Sequence, residues 1–163
     1  MRATEPLRVR HRALLPAIEE LRDAADAIGD ALPADVRGRL ETTYRFLVEE
    51  LVPRAHAEEV ALYPIVGRAL GAARATATMS RDHVEILRLA GSLGAILAGP
   101  LELDRSTMCE LRAVLYGLYG IVRLHLAKEE EVYFPVLDQY LSDTEAAELI
   151  RAMDRAARAE QRR

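Results

Sequence analysis

The chain has 163 residues, of which 50% are hydrophobic and 29% charged, and its 22 basic and 26 acidic residues leave a formal net charge of −4. This length is typical of one domain, and the composition is that of a globular protein rather than a disordered one. The acidic balance excludes the basic face that nucleic acids need, and no apolar run approaches the ~18 residues that span a bilayer. We therefore expect no nucleic-acid partner and no membrane partner.

The spacing of apolar residues predicts five helices and no strand. The first is predicted over residues 5–30, the second over about 33–66, the third over about 76–97 and the fourth over about 104–140. A shorter fifth helix, over about 142–163, begins at Ser142, whose spacing to Glu145 matches a capping box. Four long helices with short connections predict an all-α, up-down-up-down four-helix bundle over about 5–141. We expect residues 1–163 to form a single domain, with the fifth helix across one end.

The cysteine content and the N-terminus bear on location. Cys109 is the only cysteine, so no disulfide can form within the chain, and we expect its thiol to be buried. The first residues lack the apolar core of a secretory signal. Both features predict a cytoplasmic protein.

The four histidines are distributed one to each of the first four predicted helices: His11, His56, His83 and His125. Two of these helices also share a motif of glutamates followed by an aromatic residue and proline, at residues 58–64 and 129–135. The two copies are 71 positions apart, and His11 and His83 are 72 apart. This internal repeat predicts two related helical hairpins that face each other.

Helical periodicity predicts which polar side chains point inward. At 100° per residue, the apolar faces of the four helices carry His11, Glu58, His83, His125 and Glu129. Burying two carboxylates without compensation is very costly, so either water enters the bundle or cations neutralise them. Histidine and glutamate converging inside a helix bundle predict a transition-metal site.

Two positions leave alternatives open on the second helix. His56 lies off the core face of a regular helix, but a distortion at Pro53 could rotate it inward toward Glu59, so His56 and Glu59 are further candidate ligands. The alternative is a surface histidine. Arg54 stands where the repeat predicts a histidine, and it could form a salt bridge to a core carboxylate and replace part of a metal's charge.

Together these elements resemble the hemerythrin-like family, also called the HHE cation-binding domain. The resemblance rests on His11, on Asp82-His83 and on the two glutamate motifs, with His125 four residues before Glu129. It implies a non-haem di-iron centre, with two irons per chain, bridged by Glu58 and Glu129 and bound terminally by His11, His83 and His125. Because Arg54 stands at the position of an expected histidine, the sequence leaves open whether this centre holds two ions, one or none. The donor types alone do not distinguish iron from manganese.

The resemblance implies handling or sensing of O₂, peroxide, nitric oxide or iron redox state, by a monomer or homodimer. Because the chain has fewer histidines than oxygen-carrying members of the family, reversible oxygen carriage suits it poorly. One alternative is a catalase-like enzyme that decomposes peroxide, and another is a metal-free helical interaction module. Three tyrosines on the predicted helices could hydrogen-bond an oxygen ligand or pack in the core: Tyr44, Tyr116 and Tyr119.

Overall fold

The computed structural model describes residues 2–162 and is 84% helical, with no strand in that range. The five helices are α1 (Glu5–Ala27), α2 (residues 33–69), α3 (Ala77–Leu97), α4 (residues 105–140) and α5 (Asp143–Glu160). The all-α prediction is confirmed, and both ends of the first four helices lie within three residues of the predicted ends.

Polar contacts near the helix ends define the topology. The C-terminal half of α1 contacts the start of α2, the end of α3 lies beside the start of α2, and the end of α4 lies beside the start of α1. These contacts are Arg39–Glu20, Arg37–Leu97 and Thr4–Asp138. Neighbouring helices are therefore antiparallel, as the predicted up-down-up-down bundle requires.

The core consists of two apolar clusters with one polar layer between them. On α1, Leu14 belongs to one cluster and Leu7 to the other, and the buried His11 lies between them. On α3, His83 lies in the same way between Ile86 and Met79. This layer places the inward-facing polar side chains of α1–α4 at one level of the bundle.

Three π-helical turns interrupt the regular geometry, at Leu47–Leu51, Glu58–Leu62 and Glu129–Tyr133. Each is followed, two residues on, by a proline: Pro53, Pro64 and Pro135. Proline lacks an N–H and clashes with the carbonyl four residues earlier. The wider turn removes the clash, because hydrogen bonds there reach five residues back. A proline within a helical stretch is expected to kink or end it locally; at all three prolines the helix continues, after a π turn of a kind frequent at functional sites.

The fifth helix packs along α2 rather than across the end of the bundle. Ser142 and Glu145 form the predicted capping box at its start. Leu149 and Met153 are buried against the second apolar cluster, because the apolar stripe of α5 needs cover. Arg10 of α1 bonds to Asp154 at 2.7 Å, so α5 closes the groove between α1 and α2.

Two further expectations concern the surface. Cys109 is exposed, so the expectation of a buried thiol was wrong: its side chain lies on the outer face of the first turns of α4. Among residues 2–162, no helix has the length and apolarity that crossing a membrane requires.

Candidate metal centre

Five of the predicted site residues converge in the polar layer, and each has at most 4% of its surface exposed: His11, Glu58, His83, His125 and Glu129. Their ligand atoms form two groups, each with all atoms within 4.8 Å of one another. The first ligand set is Glu58, His83 and His125, and the second ligand set is His11, Glu58 and Glu129. Glu58 belongs to both.

The first ligand set has the dimensions of a single coordination sphere. His83 Nε2 is 3.1 Å from both Glu58 Oε2 and His125 Nε2, and His125 Nε2 is 3.5 Å from Glu58 Oε2. Ligands bonded to one first-row metal at about 2.1 Å lie roughly 3.0–3.4 Å apart for octahedral or tetrahedral angles. The three atoms therefore fit around one ion.

A positively charged side chain, that of Arg54, contacts the second ligand set. His11 Nε2 is 3.1 Å from Glu129 Oε2, but Arg54 Nε contacts Glu58 Oε1 at 2.7 Å. The Arg54 side chain is only 13% exposed. The salt bridge considered from the sequence is present, and it occupies the Glu58 oxygen that does not face His83.

A carboxylate lies behind each core histidine. The outer contacts, from Nδ1 to the carboxylate oxygen, are His11–Glu130 at 3.0 Å, His83–Glu59 at 2.7 Å and His125–Asp82 at 3.1 Å. Such contacts fix the tautomer, with Nδ1 protonated and Nε2 free to bind a metal. Glu59, a candidate ligand from the sequence, is thus placed behind His83 and outside both ligand sets, about 100° around the helix from Glu58.

The structure does not bring His56 to the other candidates. Its ring is partly exposed, and Nε2 lies 4.0 Å from Glu160 Oε2 of α5. The local reason is the helix geometry: Val52–Ala57 is regular α-helix, and Pro53 is accommodated by the π turn before it. No rotation toward Glu59 results.

The charges of the layer are balanced unevenly between its two glutamates. Burial opposes ionisation of Glu58, but the Arg54 charge and the adjacent imidazoles of His125 and His83 outweigh it, so the pKa of Glu58 lies well below its ordinary value. Burial and the charge of Glu58 raise the pKa of Glu129 to about 8. Burial, and then Arg54, lower the pKa of His11 to about 4. Glu129 is therefore the carboxylate that still needs a proton or a cation.

Comparison with known families was decisive, because the chain matches the model of the hemerythrin HHE cation-binding domain over residues 2–137. The protein belongs to this family. The family resemblance found in the sequence is thereby confirmed, together with the helical fold. No characterised protein and no solved structure matches the chain significantly.

The residues of this HHE domain fit a bound cation. Within the described chain, His11 Nε2 and both oxygens of Glu129 are buried and form no hydrogen bond, although Nε2 lies 3.1 Å from Glu129 Oε2. Leaving a buried acceptor unsatisfied costs about 1–3 kcal/mol, and more for a charged group. A metal ion is the partner that this donor set of imidazole and carboxylate suits.

Tyr63 is a site residue that sequence reasoning missed. Its hydroxyl lies 3.4 Å from Nε2 of both His83 and His125, and its ring stacks on His83. Burial, together with Glu58 and Glu129, raises the pKa of Tyr63. The available signal was its place in the repeat, where Phe134 is the counterpart and packs against His11.

The tyrosines named from the sequence lie elsewhere. Tyr116 bonds to Asp26, Tyr119 bonds to Glu19 at 3.3 Å, and Tyr44 packs against Gly94. These contacts join the bundle helices away from the ligand sets, so Tyr63 replaces them as the hydroxyl nearest the candidate centre.

Proposed function

We propose that this protein binds non-haem iron in the bundle core and uses it to handle or sense O₂, peroxide or nitric oxide. The observation that carries the proposal is the first ligand set: two histidines and one glutamate are buried, with their ligand atoms close enough together to bind one ion. Two histidines and one carboxylate around open positions form the ligand set that suits non-haem Fe(II). Manganese accepts the same donors, so iron is the proposal rather than a consequence of geometry alone.

Bound iron would supply an open coordination position and a change of oxidation state. The residues of the chain provide the surroundings. Glu59 and Asp82 hold the two histidines, and Tyr63 offers a hydroxyl beside both Nε2 atoms. The apolar clusters above and below exclude bulk water, which strengthens each polar contact in the layer.

A small cavity beside the first ligand set supports a small ligand. It measures about 10 Å³, and its walls include Glu58, His83 and His125 with Leu51, Ile86 and Val122 around them. A cavity of roughly this size holds about one water molecule. Its size suits a water or diatomic molecule better than an organic substrate.

Iron content and its dependence on Glu58 test the proposal. Untagged full-length protein, purified without chelator and reconstituted anaerobically with Fe(II), should contain iron by elemental analysis. Glu58→Gln should lose it, while His56→Ala, on the partly exposed histidine, should keep it. Absence of iron from the reconstituted wild type, or full retention in Glu58→Gln, would refute the proposal. Peroxide turnover with iron retained would identify the catalase-like enzyme rather than a binding or sensing protein.

A metal-free interaction module is a second candidate, and one contact favours it. The Arg54–Glu58 ion pair neutralises one carboxylate, and the raised pKa of Glu129 allows the other to stay protonated at neutral pH. This reading predicts an unchanged melting temperature on adding a chelator. The iron reading predicts a fall, since an ion at 100 times its Kd stabilises the native state by about 2.7 kcal/mol.

A cytoplasmic location is also part of the proposal. A single cysteine gives no disulfide within the chain, as is usual for proteins of a reducing compartment.

A further inference from the structure

The two halves of the polar layer are related by the repeat but differ at three matched positions. Arg54 on α2 corresponds to His125 on α4, at the 71-residue offset that also relates Glu58 to Glu129. His125 offers Nε2 to the first ligand set, whereas Arg54 offers a guanidinium to Glu58. Arginine has donors but no acceptor atom and stays charged, so it cannot be a metal ligand.

The second difference concerns the residue that would hold a histidine at this position. Asp82 contacts Nδ1 of His125 at 3.1 Å. Its counterpart at the 72-residue offset is Arg10, which turns away from the layer and bonds to Asp154 of α5. The second ligand set thus lacks both a histidine at position 54 and a carboxylate that would orient that histidine.

The third difference is the hydroxyl beside the histidines. Tyr63 lies next to His83 of the first ligand set, and its counterpart in the repeat, Phe134, lies next to His11 of the second ligand set. Phe134 has no polar group to offer a ligand or a water. Three matched positions therefore make the first ligand set complete and the second incomplete.

Charge favours the same assignment. An ion in the second ligand set would share Glu58 Oε1 with the guanidinium 2.7 Å away, and like charges repel strongly in a buried layer. An ion in the first ligand set would use Glu58 Oε2, which faces His83 and His125. Glu58 would then hold a metal ion through Oε2 while Oε1 remains paired with Arg54.

We propose that the centre binds one iron, held by Glu58, His83 and His125, and that the guanidinium of Arg54 takes the place of the second metal ion. This inference rests on the proposed iron-binding function. It replaces the two irons implied by the family resemblance with one iron and one fixed positive charge. A single iron at this site would supply one-electron redox chemistry, which suits one-electron reactions or ligand sensing better than two-electron reduction of O₂ within one chain.

The test counts metal ions in full-length protein and in matched arginine variants. Metal-free protein is titrated anaerobically with Fe(II), and bound iron per chain is measured after removal of excess. We expect one iron in the wild type, two in Arg54→His, which restores the ligand of the repeat, and one in Arg39→His. Arg39 is the control, because it pairs with Glu20 near the start of α2, several helical turns from the polar layer.

The outcomes separate the two proposals. Two irons in the wild type would overturn the inference and leave the iron-binding function standing, whereas none would overturn both. One iron in both the wild type and Arg54→His would overturn the role given to Arg54. If Arg54→His does not fold, Mn(II) bound to saturation in the wild type decides by electron paramagnetic resonance. The six-line spectrum of an isolated ion supports one site, and an exchange-coupled spectrum contradicts it.

Discussion

The guanidinium of Arg54 contacts Oε1 of Glu58 at 2.7 Å from one helical turn earlier on α2. On α4 the same step separates His125 from Glu129, where Nε2 and Oε1 are 3.9 Å apart. The backbone of the two segments is alike, with a π turn beginning at each glutamate. The difference between the two segments is therefore one side chain: a permanently charged guanidinium precedes Glu58, whereas an imidazole that can bind a metal precedes Glu129.

The carboxylates behind the histidines predict an asymmetric effect on metal affinity. Glu59→Gln should weaken Fe(II) binding by roughly 10- to 100-fold, because Glu59 orients His83 and raises its basicity. Glu130→Gln is its counterpart in the repeat and should change affinity little, since it contacts His11 in the second ligand set. Dissociation constants from anaerobic titration measure both. Equal losses in the two variants would mean that both ligand sets hold metal.

Removal of the Tyr63 hydroxyl should change the binding of a small anion and leave the metal in place. Tyr63→Phe keeps the ring stacked on His83 but removes the hydroxyl nearest the two Nε2 atoms. We expect azide, added to the ferric protein, to bind several-fold more weakly, because the loss of one hydrogen bond costs about 0.5–1.5 kcal/mol.

The control for this measurement is Tyr133→Phe. The Tyr133 hydroxyl bonds to the carbonyl of Ala75, so its loss should leave azide affinity unchanged. Optical titration compares the two variants. An identical azide affinity in Tyr63→Phe and wild type would remove Tyr63 from the site.

Two glycines of α3 offer a paired test of packing. A Cβ on Gly94 would lie 2.7 Å from Tyr44 Oη and 2.9 Å from its ring, whereas a Cβ on Gly91 meets nothing within 4 Å. Gly94→Ala should lower the free energy of unfolding by about 1–3 kcal/mol through overpacking. Gly91→Ala should raise it by roughly 0.5–1 kcal/mol through helix propensity. Urea unfolding measures both, and a stabilised Gly94→Ala would show that Tyr44 moves aside freely.

The metal-free protein should lose stability on acidification through His11. Burial, and then Arg54, lower the pKa of folded His11 to about 4 from an ordinary value of 6.5. The unfolded chain therefore binds a proton near pH 6.5 that the folded chain refuses until about pH 4. The free energy of unfolding that His11 contributes above pH 6.5 is therefore lost as the pH falls from 6.5 to about 4.

The variant His11→Gln isolates this contribution. Between pH 7 and pH 5 the metal-free wild type should lose on the order of 1–2 kcal/mol more stability than His11→Gln. Unfolding midpoints in urea at several pH values give the comparison. Parallel pH profiles would show that His11 titrates normally in the folded protein.

Periodicity alone was sufficient to predict most of the polar layer. Hydrophobic residues at helical spacing place His11 between Leu7 and Leu15; the structure buries Leu7 and His11 and leaves Leu15 partly buried. Helical position, at 100° per residue, predicted that Glu58 rather than Glu59 faces inward, and the internal repeat paired Glu58 with Glu129. These predictions succeed because a helix has only one face to turn toward a core.

What the sequence did not reveal depends on local departures from that geometry. In a regular helix Tyr63 lies roughly 140° from Glu58, off the core face. The π turn at Glu58–Leu62 inserts an extra residue and brings Tyr63 back beside His83. Likewise, periodicity gave no sign that α5 packs along α2, because its apolar stripe would suit either place.

The most direct test of iron in this core is anomalous diffraction from crystals of the iron-reconstituted protein, with data on both sides of the iron absorption edge. We expect one strong difference peak enclosed by Glu58, His83 and His125, with none between His11 and Glu129. An additional peak beside His11 would restore a di-iron centre and contradict the role of Arg54. An iron-reconstituted crystal without a peak in the polar layer would contradict iron binding in the core altogether.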